Sequence, residues 1–486
     1  MPSQYPSFTT ASAPQVEHQS ARRCQLAPLI LLTMSLFFGL PACESDLTDT
    51  QYPNVPPTTY LANIPPPNDT TAPYPYRLTF SWDGGDDDGV VVGFWYRWDA
   101  HDWTYTTERS RTFDFESPDI LNRHTFEVRA VDNDDAVDPT PESRTFHTAR
   151  TLLPHTELIA GPAEEASVFC LPQPTETWKG ITFTLGGTDD DGIIVGFEYA
   201  IDDSTQWQSV SGYTVSLAGL TDGHHAFYAK AVDNAGGKDT NFVRRSFTSV
   251  QPTFADGILL VNETRDGSGA SGSPTRAEVE RFYSSIMSAN GRSFTAWHRP
   301  SEGPPAPSDL AKYSLVFWYA DDRSEQLLKQ SVDVLREYLM VGGKLWLSGW
   351  RVIPELDNFT GSTSHTYSPG EFGYDVIGLE TYQEQPDLDF DQARGETGYP
   401  GLHVDPAKLP TSFGGKLNFV GTVSSRDTKV IYTFGSSKNS TFAGHVCLVE
   451  YLGATYSVVL SGFPLYFLVE TEVSVAMGQI LSDIGE

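Results

Sequence analysis

Two short acidic runs carry the residues of this 486-residue chain that are best suited to bind a cation. Each run has three aspartates before a glycine, and further aspartates follow in each half of the repeat described below. The aspartates concerned are Asp86, Asp87, Asp88, Asp132, Asp134, Asp189, Asp190, Asp191 and Asp233. Converging carboxylates repel one another unless a cation relieves them, and Ca²⁺ prefers six to eight oxygen ligands. Asp, Asn and Gly are also good turn formers, and turn formation is the interpretation that the sequence favours. The alternative is a calcium site.

The acidic runs belong to a unit that occurs twice. The segment 86–94 returns as 189–197, with two valines replaced by isoleucine, and 124–133 returns as 225–234 with the ending Ala-Val-Asp-Asn preserved. The offset of roughly 100 residues is that of one small domain. The chain therefore contains a duplicated domain.

Apolar residues alternate with polar ones through both copies, as in Leu78, Phe80 and Trp82 of the first. This period of two predicts strands with one buried face, and the Gly, Asp and Asn clusters between them predict turns. About seven short strands per copy is typical of an immunoglobulin-like sandwich, in which the loop after the second strand and the loop before the last lie at one pole. The acidic loops of each copy should therefore meet.

Both copies resemble immunoglobulin-like or fibronectin type III-like modules of bacterial surface proteins. The resemblance rests on the Gly-Phe-x-Tyr strand, a tryptophan hairpin at Trp103 or Trp207, and the Ala-Val-Asp-Asn turn. It places module 1 at 53–150 and module 2 at 151–250. Such modules bind other molecules or act as spacers, and they rarely catalyse reactions.

The N-terminal residues have the pattern of an export signal. Arg22 and Arg23 precede an apolar run from Leu26 to Leu40, which is too short for a permanent membrane span. The run ends in Leu-Pro-Ala-Cys43, which resembles the lipobox of bacterial lipoproteins. The resemblance implies a signal peptide over 1–42, a lipid on Cys43, and anchoring in the cell envelope, at the outer membrane or cell surface rather than the inner membrane. A proline-rich spacer is predicted over 43–75, overlapping the start of module 1.

The charge balance excludes one class of partner. The formal net charge is −31, with 63 acidic residues against 32 Lys and Arg, so a nucleic-acid backbone would be repelled. Solubility in high salt is an alternative reason for the acid excess. The cysteines left after cleavage, Cys43, Cys170 and Cys447, fall in different segments, so we expect no structural disulfide.

After residue 252 the pattern changes to alternating apolar strands and amphipathic helices. Strands are predicted at 258–262, 294–297, 315–319, 344–348 and 456–461, and helices at 274–290, 325–341 and 465–484. The segments 258–261, 313–318, 335–349 and 458–466 resemble the class I glutamine amidotransferase-like fold, which is flavodoxin-like α/β. The predicted fold class is therefore multidomain, with two all-β sandwiches followed by an α/β flavodoxin-like domain over 252–486 that has an insertion at about 355–428.

Candidate catalytic groups in this last region are few. The resemblance implies a cysteine on the sharp turn after the strand at 344–348, where this chain has Gly349 and Trp350. Ser348 lacks the Gly-x-Ser-x-Gly context, and Cys447 lies in an apolar stretch that predicts burial. The glycine-rich loop 266–273 has no lysine and no phosphate-binding register. A ligand is expected in the crevice at the carboxyl ends of the strands, by the general rule for open α/β sheets.

The sequence thus favours a non-catalytic, lipid-anchored envelope protein that presents binding or spacer modules and a degenerate amidotransferase-like domain to a protein or glycan. The alternative is a secreted or envelope hydrolase or amidase with an atypical nucleophile in the last domain. We expect no cofactor other than Ca²⁺, a membrane contact through the lipid, and no nucleic-acid partner.

Overall fold

A computed structural model describes residues 53–63, 74–117, 119–322, 327–396 and 398–486. The predicted signal peptide, Cys43 and most of the predicted spacer lie outside these residues. Residues 55–486 form one compact unit. Among the described residues, strands account for 42% and helices for 16%. No helix among the described residues combines the length and apolar character that a membrane crossing requires.

Module 1 is a sandwich of a three-stranded sheet, β1-β2-β5, on a four-stranded sheet, β4-β3-β6-β7. Its strands are β1 (Thr58–Asn63), β2 (Arg77–Gly85), β3 (Val91–Trp98), β4 (Thr104–Thr106), β5 (Ser110–Asp114), β6 (Leu121–Asp132) and β7 (Glu142–Ala149). Alternating aromatic residues fill the space between the sheets, and the Phe80 and Phe126 rings stack with centroids 4.5 Å apart. The predicted sandwich is confirmed. Strand β1 lies inside the range predicted as spacer, where it pairs with β2.

Module 2 repeats this plan with sheets β13-β10-β8 and β12-β11-β14-β15-β9. Its strands are β8 (His155–Ala160), β9 (Ala166–Phe169), β10 (Ile181–Thr188), β11 (Ile194–Ile201), β12 (Gln208–Val210), β13 (Thr214–Leu217), β14 (Gly223–Asp233) and β15 (Val243–Val250). The added edge strand β9 pairs in parallel with β15. The Phe183 and Phe227 rings occupy the same place as the stacked pair of module 1, with centroids 3.9 Å apart.

The rest of the chain is built around a nine-stranded sheet in the order β17-β16-β18-β19-β27-β26-β25-β22-β23. Its strands are β16 (Ile258–Asn262), β17 (Phe294–His298), β18 (Leu315–Ala320), β19 (Lys344–Gly349), β22 (Gln392–Gly395), β23 (Leu402–His403), β25 (Lys429–Gly435), β26 (Val446–Leu452) and β27 (Ser457–Ser461). A smaller sheet holds β20 (Ser364–Thr366), β21 (Leu379–Gln385) and β24 (Val420–Ser425).

Helices cover this sheet. They are α1 (Arg276–Ala289), α2 (Arg299–Glu302), α3 (Pro307–Leu310), α4 (Val332–Met340), α5 (Val352–Leu356) and α6 (Glu470–Asp483), with short 3₁₀ turns at Leu328–Gln330, Pro406–Lys408, Thr411–Phe413 and Leu465–Phe467 and a π turn at Gly373–Ile377. A capping box starts α1, because the Thr275 hydroxyl accepts from the Glu278 amide and the Glu278 carboxylate accepts from the Thr275 amide.

The predicted fold class is wrong, although the predicted strands lie close to where the sequence placed them. The described residues are mostly β, and they form no separate flavodoxin-like α/β domain. Strands β17, β16, β18, β19 and β27 are parallel, but the sheet continues from β27 through four antiparallel strands. Two of those added strands, β22 and β23, come from the segment that the sequence analysis treated as an insertion. Buried apolar runs identify strands, but they do not reveal the direction of their neighbours.

The C-terminal region, residues 252–486, shares part of its buried core with module 2. A single buried cluster includes Phe169 and Trp178 of module 2 together with Leu335 and Tyr338 of α4. The Thr177 hydroxyl donates to the carbonyl of Met340 at 2.7 Å. Helix α4 therefore packs between the nine-stranded sheet and the sandwich.

Candidate functional site

The acidic loops of module 1 meet at one pole, as the sandwich plan predicts. The Val90 amide donates to the Asn133 side chain at 2.8 Å, which joins the loop after β2 to the loop after β6. The Asp132 carboxylate accepts from the amides of Asp134 and Ala136 at 2.9 and 2.8 Å. Asp132 therefore stabilises its own turn, in the way that short acidic side chains commonly do.

Module 2 repeats these contacts. The Ile193 amide donates to Asn234 at 2.9 Å, and Asp233 accepts from the amides of Ala235 and Gly237 at 2.8 and 2.7 Å. The acidic run of each module also accepts from the chain that leads into its first strand. The Asp88 carboxylate accepts from the Val55 amide at 3.1 Å and Asp191 accepts from the Leu152 amide at 3.0 Å. The identical bonds show that turn chemistry accounts for much of the repeated motif.

Some carboxylate oxygens at these poles remain without a hydrogen-bond partner within the described residues. They are Asp86 Oδ2, Asp189 Oδ2 and Asp191 Oδ1. Burial raises the pKa of Asp189, and the carboxylates of Asp191 and Asp233 raise it further. Asp87, Asp134 and Asp190 are exposed. No group of three or more His, Cys, Asp or Glu side chains in the described ranges is placed to hold a metal ion, so calcium binding stays a prediction.

The acidic pole of module 2 faces module 1. The Tyr76 hydroxyl, at the start of module 1, donates to Asn234 at 2.7 Å. Burial, and then the charge of Asp189, raises the pKa of Tyr76 to about 12. Asn234 therefore receives two donors, Tyr76 and Ile193, and ties the two modules together.

A second repeated acid was missed in the sequence. Asp138 is 2% exposed, and it accepts from the amides and hydroxyls of both Thr59 and Thr140 at 2.6–2.8 Å. Burial alone would raise the pKa of Asp138, but these hydrogen bonds outweigh it and the pKa is lowered. In module 2, Asp239 accepts in the same way from Thr156 at 2.7 and 2.6 Å. The only sequence signal is the recurrence of a threonine and an aspartate in both copies.

A cavity of about 240 Å³ lies at the carboxyl ends of the parallel strands. It is lined by Asp321 and Asp322 after β18, Trp350 after β19, part of the glycine-rich loop after β16, and the aromatic rings of Phe413 and Phe467. This is the edge where the sequence analysis expects a ligand. The glycine-rich loop thus lines a cavity without having a phosphate-binding sequence.

Asp321 is the most unusual group in this cleft. It is 1% exposed, and its Oδ2 accepts from the Tyr283 hydroxyl at 2.9 Å. Its Oδ1 makes no hydrogen bond of acceptable geometry to any described residue. Burial raises the pKa of Asp321 to about 7, against the opposing effects of Tyr283, the nearby Tyr466 amide and Lys408. Both protonation states are therefore accessible near neutral pH.

The candidate nucleophiles do not line the cleft. The Ser348 hydroxyl is fully buried and donates to the carbonyl of Phe463 at 3.1 Å. Cys447 lies in β26, where burial raises the pKa of its thiol well above the ordinary value, which disfavours the reactive thiolate. Gly349 has φ +144°, and any side chain there would collide with the carbonyl of Ala320. The residue in the left-handed conformation at the following turn is Arg351, which makes two hydrogen bonds of 2.8 Å to Glu384.

No family model matches the sequence, and no curated protein matches it. Among solved structures, the fibronectin(III)-like modules of Clostridium thermocellum CbhA are 11% identical, with 40% of this chain and 95% of that chain covered and a TM-score of 0.20. The PKD1 domain of Vibrio anguillarum Epp is 13% identical, with 20% and 98% covered and a TM-score of 0.16. A segment of two fibronectin type III domains from chicken tenascin is 10% identical, with 39% and 97% covered and a TM-score of 0.17.

By their strand pairing, the two N-terminal modules are β-sandwiches. The comparisons give no support to an amidotransferase-like domain over 252–486.

Proposed function

We propose that this protein is a lipid-anchored component of the bacterial cell envelope that holds a ligand-binding C-terminal region away from the membrane on two sandwich modules. The observation that carries the proposal is the continuous series of contacts from module 1 to the C-terminal sheet. Tyr76 and Asn234 join the two modules, and Thr177 and Met340 join module 2 to helix α4. Direct contacts of this kind hold neighbouring modules in a defined arrangement, which suits a spacer.

The anchor rests on the sequence around Cys43, with its basic flank, apolar core and small residues before the cysteine. The acid-rich composition suits a protein that works in contact with solvent and does not bind nucleic acid. A protein or a glycan is the expected class of ligand for the modules and the C-terminal region, and binding is expected to be non-catalytic.

The anchor is tested by expressing the Cys43→Ser variant in a Gram-negative host. The wild-type protein should be cleaved before Cys43, incorporate labelled fatty acid and sediment with membranes, whereas Cys43→Ser should accumulate as an uncut precursor. Cys24→Ser is the matched control, because it also removes a cysteine near the N-terminus but should be processed normally. A mature N-terminus at another residue would contradict the proposal.

A further inference from the structure

Module 2 contains a buried histidine whose two ring nitrogens both face hydrogen-bond acceptors. His225, in β14, is 7% exposed. Its Nδ1 lies 2.8 Å from a carboxylate oxygen of Asp202, and its Nε2 lies 2.8 Å from the carbonyl oxygen of Thr221. An ionised carboxylate and a carbonyl accept hydrogen bonds but do not donate them, and a neutral imidazole has only one N–H. Both contacts are therefore hydrogen bonds only when His225 is protonated.

The Asp202 carboxylate is held in position for this contact. Its second oxygen accepts from the Ala226 amide at 2.9 Å, which keeps the first oxygen directed at the ring of His225. Burial alone would lower the pKa of His225, but the Thr221 carbonyl and the Asp202 carboxylate outweigh it, and the pKa is raised. His225 should therefore keep its proton to a higher pH than an ordinary histidine, whose pKa is about 6.5.

The other groups around His225 do not compete for its ring nitrogens. The residue across from it on β15 is Phe247, an uncharged ring whose centroid lies 5.9 Å away. His224, the preceding residue on β14, faces Glu165 at 3.2 Å. Asp222 accepts from a backbone amide in another segment. Among the charged groups of these elements, Asp202 is the one whose contact depends on the charge of His225.

Thr221 belongs to a loop that is attached to the chain leaving module 2. This loop, residues 218–222, joins β13 to β14. Its Leu220 carbonyl accepts from the side chain of Gln251 at 2.7 Å, and its Asp222 carboxylate accepts from the Gln251 amide. The hydrogen bond from His225 therefore fixes the loop that holds Gln251.

Gln251 is the first residue after β15, and it begins the connection to the C-terminal region. Two residues later, the Thr253 amide donates to the carbonyl of Ala311 in that region at 2.8 Å. When His225 is neutral, only one of its two contacts can be a hydrogen bond, because the other brings two lone pairs together. Loss of the contact with Thr221 would remove one attachment of the loop, and Gln251 would then be held less firmly.

Module 1 repeats the histidine but not the second contact. His124 is 4% exposed, and its Nδ1 contacts the carboxylate of Asp99. Its Nε2 has no hydrogen-bond partner within the described residues. The contact between the ring and a loop carbonyl is therefore particular to module 2, the module that continues into the C-terminal region.

We propose that His225, Asp202 and Thr221 form a pH-dependent latch at the junction between module 2 and the C-terminal region. In the latched form, protonated His225 donates to both acceptors and holds the 218–222 loop against Gln251. In the released form, the neutral ring leaves the Thr221 carbonyl without its donor, and the junction is less restrained. The proposal goes beyond the envelope role and does not depend on the lipid anchor.

Hydrogen exchange measured by mass spectrometry on the full chain tests the latch. Protection factors, corrected for the intrinsic dependence of exchange on pH, are compared for segments 218–222 and 249–254. The latch contributes stability while His225 is protonated and loses it as the pH rises through the raised pKa of that ring. Protection of both segments should therefore fall by about 5-fold between about pH 5 and about pH 8.

Asp202→Asn is the decisive variant. Its amide nitrogen can donate to Nδ1 of neutral His225 while its oxygen still accepts from Ala226, which leaves Nε2–H to donate to Thr221. The variant should keep the loop protected at both pH values, with a change of less than about 2-fold. His224→Gln is the matched control, because it removes an adjacent histidine whose side chain is 54% exposed, and it should keep the wild-type pH dependence.

Three outcomes would overturn the proposal. They are equal protection of the wild-type segments at the two pH values, the full pH dependence in Asp202→Asn, and loss of the pH dependence in His224→Gln. If Asp202→Asn does not fold, His225→Gln takes its place, since its side chain carries no charge at either pH. Wild-type pH dependence in His225→Gln would then contradict the latch.

Discussion

Buried carboxylates have opposite surroundings in the sandwich modules and in the C-terminal region. Asp138 and Asp239 are almost fully buried, and both carboxylate oxygens of each accept hydrogen bonds from nearby threonine or asparagine groups. Asp321 and Glu355 are equally buried, at 1% exposed, yet Asp321 Oδ1 and both oxygens of Glu355 have no partner within the described residues. The first pair holds strands together, and the pKa values of the second pair are raised.

The two pairs of acids differ in the number of hydrogen bonds that each carboxylate accepts. A carboxylate that accepts several hydrogen bonds stays ionised, as the lowered pKa of Asp138 shows. In Glu355 burial outweighs the opposing effect of the Leu328 and Lys329 amides and raises the pKa to about 9, with the charge of Glu263 adding to the effect. Burial alone therefore does not decide whether an acid stays ionised.

Removal of a fully bonded acid should have the largest effect. Asp138→Ala leaves four donors from Thr59 and Thr140 without their acceptor, so we expect a loss of about 3–5 kcal/mol in the free energy of unfolding. Urea denaturation of the purified protein measures this loss. Asp134→Ala, at an exposed position in the same module, should change stability by about 0.5 kcal/mol or less. If Asp138→Ala and Asp134→Ala lost equal stability, the hydrogen bonds to Asp138 would not explain the difference between the two regions.

Glu355 should produce the next largest effect on stability. Its contribution should depend on pH in the opposite direction to that of Asp138. Because the pKa of its carboxyl is raised from 4.5 to about 9 in the folded protein, the native state binds more protons than the unfolded state between these values. Its contribution to stability should therefore fall as pH rises, by about 4 kcal/mol between pH 5 and pH 8. Asp321 contributes in the same direction up to about pH 7.

Denaturation of wild type and Glu355→Gln over this pH range checks the prediction. The variant should lose less stability on going from pH 5 to pH 8, while Glu380→Gln, at an exposed position on β21, should follow the wild type. Parallel curves for wild type and Glu355→Gln would show that Glu355 keeps an ordinary pKa.

The junction of the modules should give a smaller effect. Tyr76→Phe removes the hydroxyl that donates to Asn234 but keeps the ring, so we expect a loss of about 1 kcal/mol. Faster hydrogen exchange at the Ile193 amide, which shares the same acceptor, would locate the change at the junction. Tyr60→Phe, at a side chain that is 53% exposed, should leave both measurements unchanged. Unchanged exchange in Tyr76→Phe would mean that the junction does not depend on this bond.

Calcium binding should produce the smallest change in stability. The unpartnered oxygens of Asp189 and Asp191 are the remaining candidates for ligands in module 2. With a dissociation constant of about 1 mM, typical of extracellular sites, 2 mM Ca²⁺ should stabilise the protein by about 0.6 kcal/mol. Asp189→Asn should abolish the resulting rise in melting temperature and Asp427→Asn should retain it. If the wild type shows no rise, turn formation explains these aspartates in full.

The sequence by itself determined the features that depend on near neighbours along the chain. The period of two around Phe80 and Trp82 specifies a strand with one buried face, and the Thr275 and Glu278 pair specifies the start of α1. The strand order of a sandwich predicts that the acidic loops of each copy lie at one pole. These features follow from local sequence because side-chain direction and capping repeat over a few residues.

Only the tertiary structure decided which distant residues meet. Thr59 and Asp138 are 79 residues apart in the chain, and the strands that extend the sheet past β27 come from segments whose apolar pattern does not encode direction. The sequence shows an aspartate after β18, but it does not show that this aspartate is buried and accepts from the Tyr283 hydroxyl of α1. Burial and hydrogen bonding of that carboxyl depend on α1 and on the loops around Trp350 and Phe413, which only the folded chain brings together.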